Sequence, residues 1–184
     1  AMHLANMTGS SKQVLIVEGG PGTGKSVVAV NLLVDLIRDK KNTKYVTKNA
    51  APRDVYESKL TKSMKKSEIS NLFTGSGSFT QTPMNTFDAL VVDEAHRLNA
   101  KSGMMQNLGE NQIKEIINAS GLSVFFIDED QRIHFKDIGT INEIRKWATD
   151  HNAEITELKL ASQFRCNGSN GYLAWVDNTL QIHQ

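Results

Sequence analysis

The sequence contains little cysteine and no long apolar run. Cys166 is the single cysteine among 184 residues, which excludes an intramolecular disulfide and a cysteine-based zinc knuckle. No stretch approaches the roughly 18 consecutive apolar residues that would indicate a membrane span. Residues 1–11 lack both the basic start and the apolar segment of a signal peptide. We therefore expect a cytoplasmic protein that has no membrane partner.

Charge of one sign is also scarce. The formal net charge is +1 at pH 7, which argues neither for nor against nucleic acid as a partner. Lysines cluster in two segments, which contain Lys40, Lys41, Lys44 and Lys48 and then Lys59, Lys62, Lys65 and Lys66. Such clusters often serve only solubility. The length fits one domain, so we expect residues 12–184 to form it and residues 1–11 to be disordered or vector-derived.

Strand-like and helix-like segments alternate along the chain. Short, mostly β-branched apolar runs predict buried strands, and apolar residues at helical spacing predict helices. The predicted strands are 14–17, 43–47, 89–92, 122–127 and 154–160, and the predicted helices are 25–38, 54–62, 112–119, 141–148 and 171–180. This alternation implies right-handed crossovers, so the sequence predicts a three-layer α/β/α sandwich with a mostly parallel sheet.

The strongest motif is a phosphate-binding loop between the first predicted strand and the first predicted helix. It matches G-x-x-x-x-G-K-S and consists of Gly19, Gly20, Pro21, Gly22, Thr23, Gly24, Lys25 and Ser26. Cradling a polyphosphate requires several inward N–H groups and hence dihedrals that glycine adopts at low cost. Lys25 is expected to reach the β and γ phosphates and Ser26 to ligate Mg²⁺. The predicted nucleotide-binding set also includes Val27.

A pair of acids follows the 89–92 strand. Asp93 and Glu94 stand at the carboxyl end of a buried strand, the edge at which α/β sheets bind ligands. Asp93 is expected to hold Mg²⁺ through its water shell, and Glu94 to polarise the attacking water as a general base. The alternative is a pair of acids that caps the next helix. For His96, a structural hydrogen bond and a functional contact remain equally open.

Two further polar segments follow later strands. Gln131, after the 122–127 strand, is positioned to reach a γ-phosphate from beside the phosphate loop. Arg165, after the last predicted strand, is positioned to neutralise charge that develops on the γ-phosphate. Surface ion pairs are the alternative, but the order after a phosphate loop favours function. The predicted catalytic residues are Glu94, Lys25, Gln131 and Arg165.

The order of these motifs resembles the first RecA-like domain of a superfamily 1 helicase. The similarity is carried by the phosphate loop, T-K-N-A-A-P-R at 47–53, D-E-A-H-R at 93–97, D-E-D-Q-R at 128–132 and Q-F-R-C at 163–166. More narrowly, the chain is similar over 12–184 to the helicase-like domain of long Schlafen proteins and their bacterial relatives, a family also labelled domain of unknown function 2075. Superfamily 2 helicases usually carry a Ser-Ala-Thr type motif in place of D-E-D-Q.

The resemblance implies a set of ligands and roles. ATP with Mg²⁺ is the implied nucleotide, and single-stranded DNA or RNA is the implied partner. The resemblance implies that Phe164 stacks on adenine, that Arg165 contacts the γ-phosphate and that Gln131 couples this phosphate to nucleic-acid contacts. The implied contacts to the nucleic-acid backbone are Thr47, Lys48, Asn49 and Arg53. The 122–127 strand is expected to lie between the phosphate-loop strand and the 89–93 strand.

The resemblance also implies a second RecA-like domain beyond Gln184. Because that domain would supply an arginine to the ATP site, this chain alone is expected to bind ATP and hydrolyse it poorly. The leading interpretation is therefore an ATP-hydrolysing, nucleic-acid-dependent motor domain.

Two other functions are compatible with the motifs. In the first, the polar 63–83 segment is a long mobile loop that ATP orders, which switches a partner interaction without translocation. In the second, the chain is a phosphotransferase that acts on a small molecule or a protein. The adjacent Asp93 and Glu94 count against the phosphotransferase, because a water-activating carboxylate is typical of hydrolysis.

Overall fold

A single parallel sheet organises the computed structural model, which describes residues 11–48, 71–103, 105 and 107–161. Its strands are β1 (Gln13–Gly19), β2 (Thr43–Val46), β3 (Phe73–Thr74), β4 (Phe87–Val92), β5 (Ser120–Ile127) and β6 (Glu154–Leu160). The helices are α1 (Lys25–Arg38), α2 (Gln112–Ala119) and α3 (Ile141–Asp150). Each element that the sequence predicts within the described residues is therefore present.

The strand order is β3-β2-β4-β5-β1-β6, and every pair of neighbours is parallel. The predicted position of β5 between β1 and β4 is confirmed. Because parallel strands end at a common edge, the residues that follow β1, β4 and β5 meet at the carboxyl edge of the sheet. The phosphate loop follows β1, Asp93 follows β4, and Gln131 follows β5.

Alternate residues of each strand face opposite sides of the sheet, and both sides are covered. Val14 and Ile16 belong to a buried cluster that contains the apolar residues of α2 and α3. Leu15 and Val17 belong to a second cluster that contains the buried face of α1. A strand that is buried on both faces needs a continuous apolar run, as β1 has. The predicted three-layer α/β/α sandwich is confirmed.

Lys12 forms hydrogen bonds at the amino edge of the sheet, opposite the edge that carries the phosphate loop. Its ammonium donates to Asn85 Oδ1 at 2.6 Å and to the carbonyl oxygens of Ile117 at 2.8 Å, Asn118 at 2.9 Å and Ser120 at 2.9 Å. Burial lowers the pKa of Lys12 to about 8. The lysine thus supplies donors to carbonyl groups at the end of α2 and the start of β5.

The prediction of a long mobile loop is wrong for residues 71–83. This segment adds the short strand β3 beside β2 and then a 3-10 turn at Ser76–Phe79. Phe73 and Phe79 are both buried and anchor the segment in the two apolar clusters. Glycine serves close packing here, because a Cβ on Gly77 would lie 3.1 Å from the side chain of Ser102. Residues 63–70 lie outside the described part of the chain.

Several sequence predictions fall on residues that the structure does not describe. These are residues 1–10 and the 54–62 and 171–180 helices. Trp147 is partly buried and packs against the cluster that contains α2 and α3. Within the described ranges, no helix combines the length and the apolar character needed to cross a bilayer.

Candidate nucleotide-binding site

The phosphate loop follows Gly19, the last residue of β1, and leads directly into α1. Gly22 and Gly24 have positive φ angles of 78° and 82°, a region that side chains other than glycine rarely occupy. At Gly19, a Cβ would lie 2.5 Å from Thr23 Oγ1. Thr23 in turn donates from Oγ1 to the carbonyl of Gly20 at 2.9 Å. The glycines are therefore required by this tight turn, independently of any bound phosphate.

The amino end of α1 is left free to attract an anion. Its cap residue is Gly24, which has no side chain to accept from the first N–H groups, and no acid stands in the first turn. Uncapped N–H groups and the helix dipole together favour negative charge at this end. Asn111 and Thr140, in contrast, cap α2 and α3 with their side-chain oxygens. Among the described helices α1, α2 and α3, the amino end of α1 has no side-chain cap and therefore suits a bound phosphate.

The side chain of Lys25 lies in the phosphate loop. Its Nζ donates to the carbonyl oxygens of Gly19 and Gly20, the latter at 2.8 Å, and pairs with Asp128 Oδ2 at 3.1 Å. The Asp128 side chain is only 3% exposed. A buried carboxylate needs a charged partner, which Lys25 provides. In this arrangement the ammonium lies within the loop, next to the position where phosphates would bind.

Asp93 is held by two hydrogen bonds. Its Oδ2 accepts from the hydroxyl of Tyr45 at 2.6 Å, and its Oδ1 accepts from the backbone N–H of Glu94 at 3.0 Å. Both Tyr45, on β2, and Asp93, directly after β4, are buried. Each carboxylate oxygen has a second lone pair, so it can also accept from a metal-bound water. The carboxylate is thus fixed in position but still able to act as the sequence predicts.

Glu94 begins the 3-10 turn at Ala95–Arg97 in a left-handed conformation, with φ of 53°. This conformation is uncommon for residues other than glycine and is often found at functional sites. Burial raises the pKa of Glu94 above its ordinary value, and the charge of Asp93 adds to the rise, while Arg97 and Lys25 oppose it. A carboxylate with a raised pKa is a better proton acceptor, which suits a general base.

His96 lies in the same 3-10 turn and is only 2% exposed. Its buried Nδ1 has no hydrogen-bond partner among the described residues. Burial lowers the pKa of His96, so the imidazole favours its neutral form. His96 also lines the cavity beside the phosphate loop. Its role, which the sequence leaves open, is not decided by these contacts.

One cavity of about 360 Å³ brings the predicted groups together. It is lined by Pro21, Gly22, Gly24, Lys25, Ser26, Val27, Asp93, Glu94, His96 and Gln131. Three segments that are distant in sequence therefore converge on it: the phosphate loop, the acids after β4 and the 3-10 turn after β5. Gln131 stands in that last turn, at Glu129–Gln131. This is the arrangement in which the sequence predicts a nucleotide.

Four of the predicted site residues lie outside the described part of the chain. They are Asn49, Arg53, Phe164 and Arg165, whose roles stay predictions. Thr47 is buried, and its N–H donates to the carbonyl of Thr74. Lys48 turns its ammonium toward Asp137 and the carbonyl oxygen of Arg97. Neither residue presents an unoccupied donor to a nucleic-acid backbone in this arrangement, and their contact roles also stay predictions.

Two side chains of the site were missed by sequence reasoning. Tyr45 lies in the short strand β2, and its hydroxyl could signal a polar partner, but the sequence does not identify Asp93 as that partner. Asp128 was noted only as part of a motif with a possible surface ion pair, whereas it is buried and paired with Lys25. The apolar run of β5 directly before Asp128 is the sequence signal that this acid lies at the end of a buried strand.

Comparison with known proteins gives a family match and two distant structural similarities. Residues 12–184 match the family described as Schlafen group 3, DNA/RNA helicase domain. No curated protein matches the chain. Among solved structures, AMPPCP-bound DnaA from Aquifex aeolicus is 14% identical with a TM-score of 0.43, over 100% of this chain and 49% of that one. A DNA replication initiation factor is 13% identical with a TM-score of 0.45, over 98% of this chain and 49% of that one. The chain thus spans about half the length of these structures.

Proposed function

The chain belongs to the Schlafen group 3 DNA/RNA helicase domain family, and from this premise we propose that it binds ATP with Mg²⁺ and hydrolyses it as a motor domain that depends on nucleic acid. The observation that carries this proposal is the cavity in which Lys25, Glu94 and Gln131 meet. These residues follow three different strands, so their convergence is a property of the fold and not of a local motif.

Mg²⁺ would be held by Ser26 and, through water, by Asp93. Hydroxyl and carboxylate oxygens are suitable Mg²⁺ ligands, and Asp93 is already oriented by Tyr45. The described residues contain no cluster of three or more His, Cys, Asp or Glu side chains that could hold a metal by itself. Binding through one carboxylate, a hydroxyl and nucleotide phosphates is typical of Mg²⁺. When bound, the ion would neutralise phosphate charge beside Asp93, Glu94 and Asp128.

Hydrolysis is supported by the position and proton affinity of Glu94. Its carboxylate lines the cavity opposite the phosphate loop and has a raised pKa, so it can accept a proton from water at the γ-phosphate. We propose that Gln131 senses that phosphate. Arg165 as a second contact to the γ-phosphate and Phe164 as an adenine platform belong to the same proposal and rest on the family resemblance.

Dependence on nucleic acid is supported by the surface next to Gln131. In the 132–136 segment, Phe135 is fully exposed and Ile133 is 83% exposed. Exposed Arg132 and Lys136 flank these apolar side chains. Single-stranded nucleic acids bind where aromatic rings and basic side chains alternate, because bases stack and phosphates pair. Contacts through Thr47, Asn49 and Arg53 and a second RecA-like domain beyond Gln184 are part of the proposal.

The switch interpretation has less support. It invoked ordering of the 63–83 segment by ATP, but residues 71–83 already pack against the sheet through Phe73 and Phe79. Ordering of residues 71–83 by ATP therefore does not supply a switch.

The test is steady-state ATP hydrolysis with Mg²⁺ by this chain and by the longest native version, each with and without single-stranded DNA or RNA. We expect the long form to be stimulated by a polymer and the stimulation to fall with added salt, because phosphate contacts release counterions. Nucleotide binding without a response to any polymer would favour the switch, and absence of nucleotide binding would contradict both.

A matched pair of variants identifies the source of any turnover. Glu94→Gln should remove hydrolysis, whereas Glu154→Gln, an exposed residue at the start of β6 and the opposite edge of the sheet, should not. Equal turnover in both variants would show that the activity comes from a contaminant or from another carboxylate.

A further inference from the structure

Lys48, which directly follows β2, is exposed, but its ammonium is held by hydrogen bonds to neighbouring loops. Its Nζ donates to the carbonyl oxygen of Arg97 at 3.0 Å, to Asn99 Oδ1 at 3.2 Å and to Asp137 Oδ1 at 3.3 Å. An ammonium has three N–H donors, and each has an acceptor here. A phosphate could bind Lys48 only by displacing one of these partners.

Asp137 is the buried end of this contact. Its side chain is only 2% exposed, and its second oxygen, Oδ2, accepts from the N–H of His134 at 3.2 Å. The next residue, Ile138, donates to the carbonyl of Leu98 at 2.8 Å. Asp137 also forms an antiparallel bridge with Asn99. The Lys48–Asp137 pair therefore joins the ends of three loops, those that follow β2, β4 and β5.

Both of the loops that Lys48 holds lead directly into the nucleotide cavity. Arg97, whose carbonyl binds Lys48, is the last residue of the turn that Glu94 begins, and its side chain lies 3.8 Å from Glu94 Oε2. On the other side, Asp137 closes the segment that starts directly after Gln131. A shift of either loop would therefore move Glu94 relative to Gln131.

We propose that Lys48 is a positioning residue, which fixes Glu94 and Gln131 relative to each other through its bonds to the Arg97 carbonyl and Asp137. The inference rests on the proposed ATPase function and assigns Lys48 an internal role in place of the nucleic-acid contact that the resemblance implies. Because the pair bridges loops from β2 and β5, it also sets the position of the exposed 132–136 segment.

The first readout separates turnover from binding. Lys48→Met and Asp137→Asn should each lower kcat about 10-fold, which is within the range of coupling between contacting groups, while ADP affinity changes less than about 2-fold. The double variant should be no slower than the slower single variant, because both changes remove one interaction. Lys48→Arg should recover part of the turnover. Lys44→Met is the matched control, since Lys44 lies on β2, the strand that precedes Lys48, and donates to a carbonyl at an exposed position.

The second readout does not need ATPase activity. Arg132 and Lys136 are exposed trypsin sites within the segment that Asp137 anchors. Cleavage after these residues, followed by mass spectrometry, should be faster in Lys48→Met and Asp137→Asn than in the native chain or in Lys44→Met. Thermal denaturation beforehand confirms that each variant is folded at the assay temperature.

The outcomes distinguish the two proposals. Reduced kcat together with faster cleavage supports the positioning role. Unchanged kcat in active protein overturns it, as does a raised requirement for nucleic acid at unchanged maximal turnover, which would make Lys48 a phosphate contact. If the native protein hydrolyses no ATP under any condition, the proposed function fails. The rate of tryptic cleavage alone then decides whether Lys48 holds the 132–136 segment. An unchanged cleavage rate in the variants rejects that role.

Discussion

Tyr45 donates its hydroxyl proton to Asp93 Oδ2 over 2.6 Å, and this hydrogen bond joins neighbouring strands in the interior. The tyrosine thus holds the carboxylate that is proposed to bind Mg²⁺ through water. A hydrogen bond to a charged group typically contributes about 1.5–3 kcal/mol, more than a bond between neutral groups. Tyr45 therefore links the stability of the sheet to the geometry of the proposed metal site.

Replacing Tyr45 with Phe should weaken the proposed metal site. Without the hydroxyl, one oxygen of the buried Asp93 loses its partner, so we expect the free energy of unfolding to fall by about 1–3 kcal/mol. The Mg²⁺ concentration needed for half-maximal ATP turnover should rise, because the carboxylate is less well oriented. Urea denaturation and a Mg²⁺ titration of the ATPase measure the two effects.

Phe73→Leu provides the control for that substitution. Phe73 packs against the ring of Tyr45 with centroids 5.4 Å apart, so its loss should lower stability without changing the Mg²⁺ requirement. An equal shift of the Mg²⁺ requirement in both variants would show that packing, and not the hydroxyl, supports Asp93.

Replacing Lys25 with Ala should weaken ATP binding about 10- to 100-fold, since a charge-assisted hydrogen bond contributes about 1.5–3 kcal/mol. The same change should also lower stability by about 3–5 kcal/mol, because Asp128 would be left buried without its counter-charge. Fluorescent-nucleotide titration and urea denaturation report the two quantities separately.

The double variant Lys25→Ala/Asp128→Asn resolves these effects. Removal of the buried charge should restore much of the stability, while ATP binding stays weak because the lysine is still missing. Recovery of ATP affinity in the double variant would contradict the assignment of Lys25 to the phosphates.

Replacing Glu94 with Gln should abolish turnover, retain ATP affinity and stabilise the fold at neutral pH. The pKa of Glu94 is raised in the folded protein, so between the ordinary value of 4.5 and the raised value the folded protein binds more protons than the unfolded chain. The free energy of unfolding of the native chain therefore falls as pH rises through that window. Denaturation curves at several pH values should show the stability advantage of Gln growing over this window and vanishing below it.

The pH dependence of kcat should follow the same group. As Glu94 must be ionised to accept a proton, kcat should fall as pH falls through its raised pKa, so the acid limb should lie above pH 4.5. Arg97 opposes the rise, and therefore Arg97→Met should move the limb to higher pH. Lys101→Met, an exposed change in the loop that follows, should leave the limb in place. An acid limb that stays at the same pH in Arg97→Met would indicate that a residue other than Glu94 is the general base.

Replacing Lys12 with Met should affect stability alone. The change removes the ammonium donor from three carbonyl oxygens at the amino edge, of which that of Asn118 keeps the N–H of Asn85, so we expect a loss of about 2–4 kcal/mol in the free energy of unfolding. ATP affinity of the folded protein should not change, because the phosphate loop lies at the other edge. Weaker nucleotide binding by fully folded Lys12→Met protein would show that the amino edge of the sheet is coupled to the nucleotide site.

The strands could be predicted because burial on both faces requires unbroken apolar runs, as in β1 and β5. The phosphate loop follows from its motif, and its convergence with Gln131 follows from the strand order that the family resemblance implies. The packing of 71–83 against the sheet could not be foreseen, because Ser76 and Gly77 have the composition of a solvent loop, whereas Ser76 is buried and Gly77 lies close to Ser102. The inward contacts of Lys48 and Tyr45 depend on partners 89 and 48 residues away, a distance over which composition carries no information.

The parallel arrangement of β1 has a consequence for biosynthesis. Its neighbours in the sheet are β5 and β6, and Glu18 of β1 pairs in register with Lys159, 141 residues later. At about 5–20 residues per second, a ribosome needs on the order of ten seconds to reach β6 after making β1. Until β5 and β6 have been made, this apolar strand has no sheet partner, so it is a natural substrate for chaperones. The phosphate loop is thus among the first described segments to be synthesised and among the last to acquire its surroundings, and translation speed should influence how much protein becomes competent to bind nucleotide.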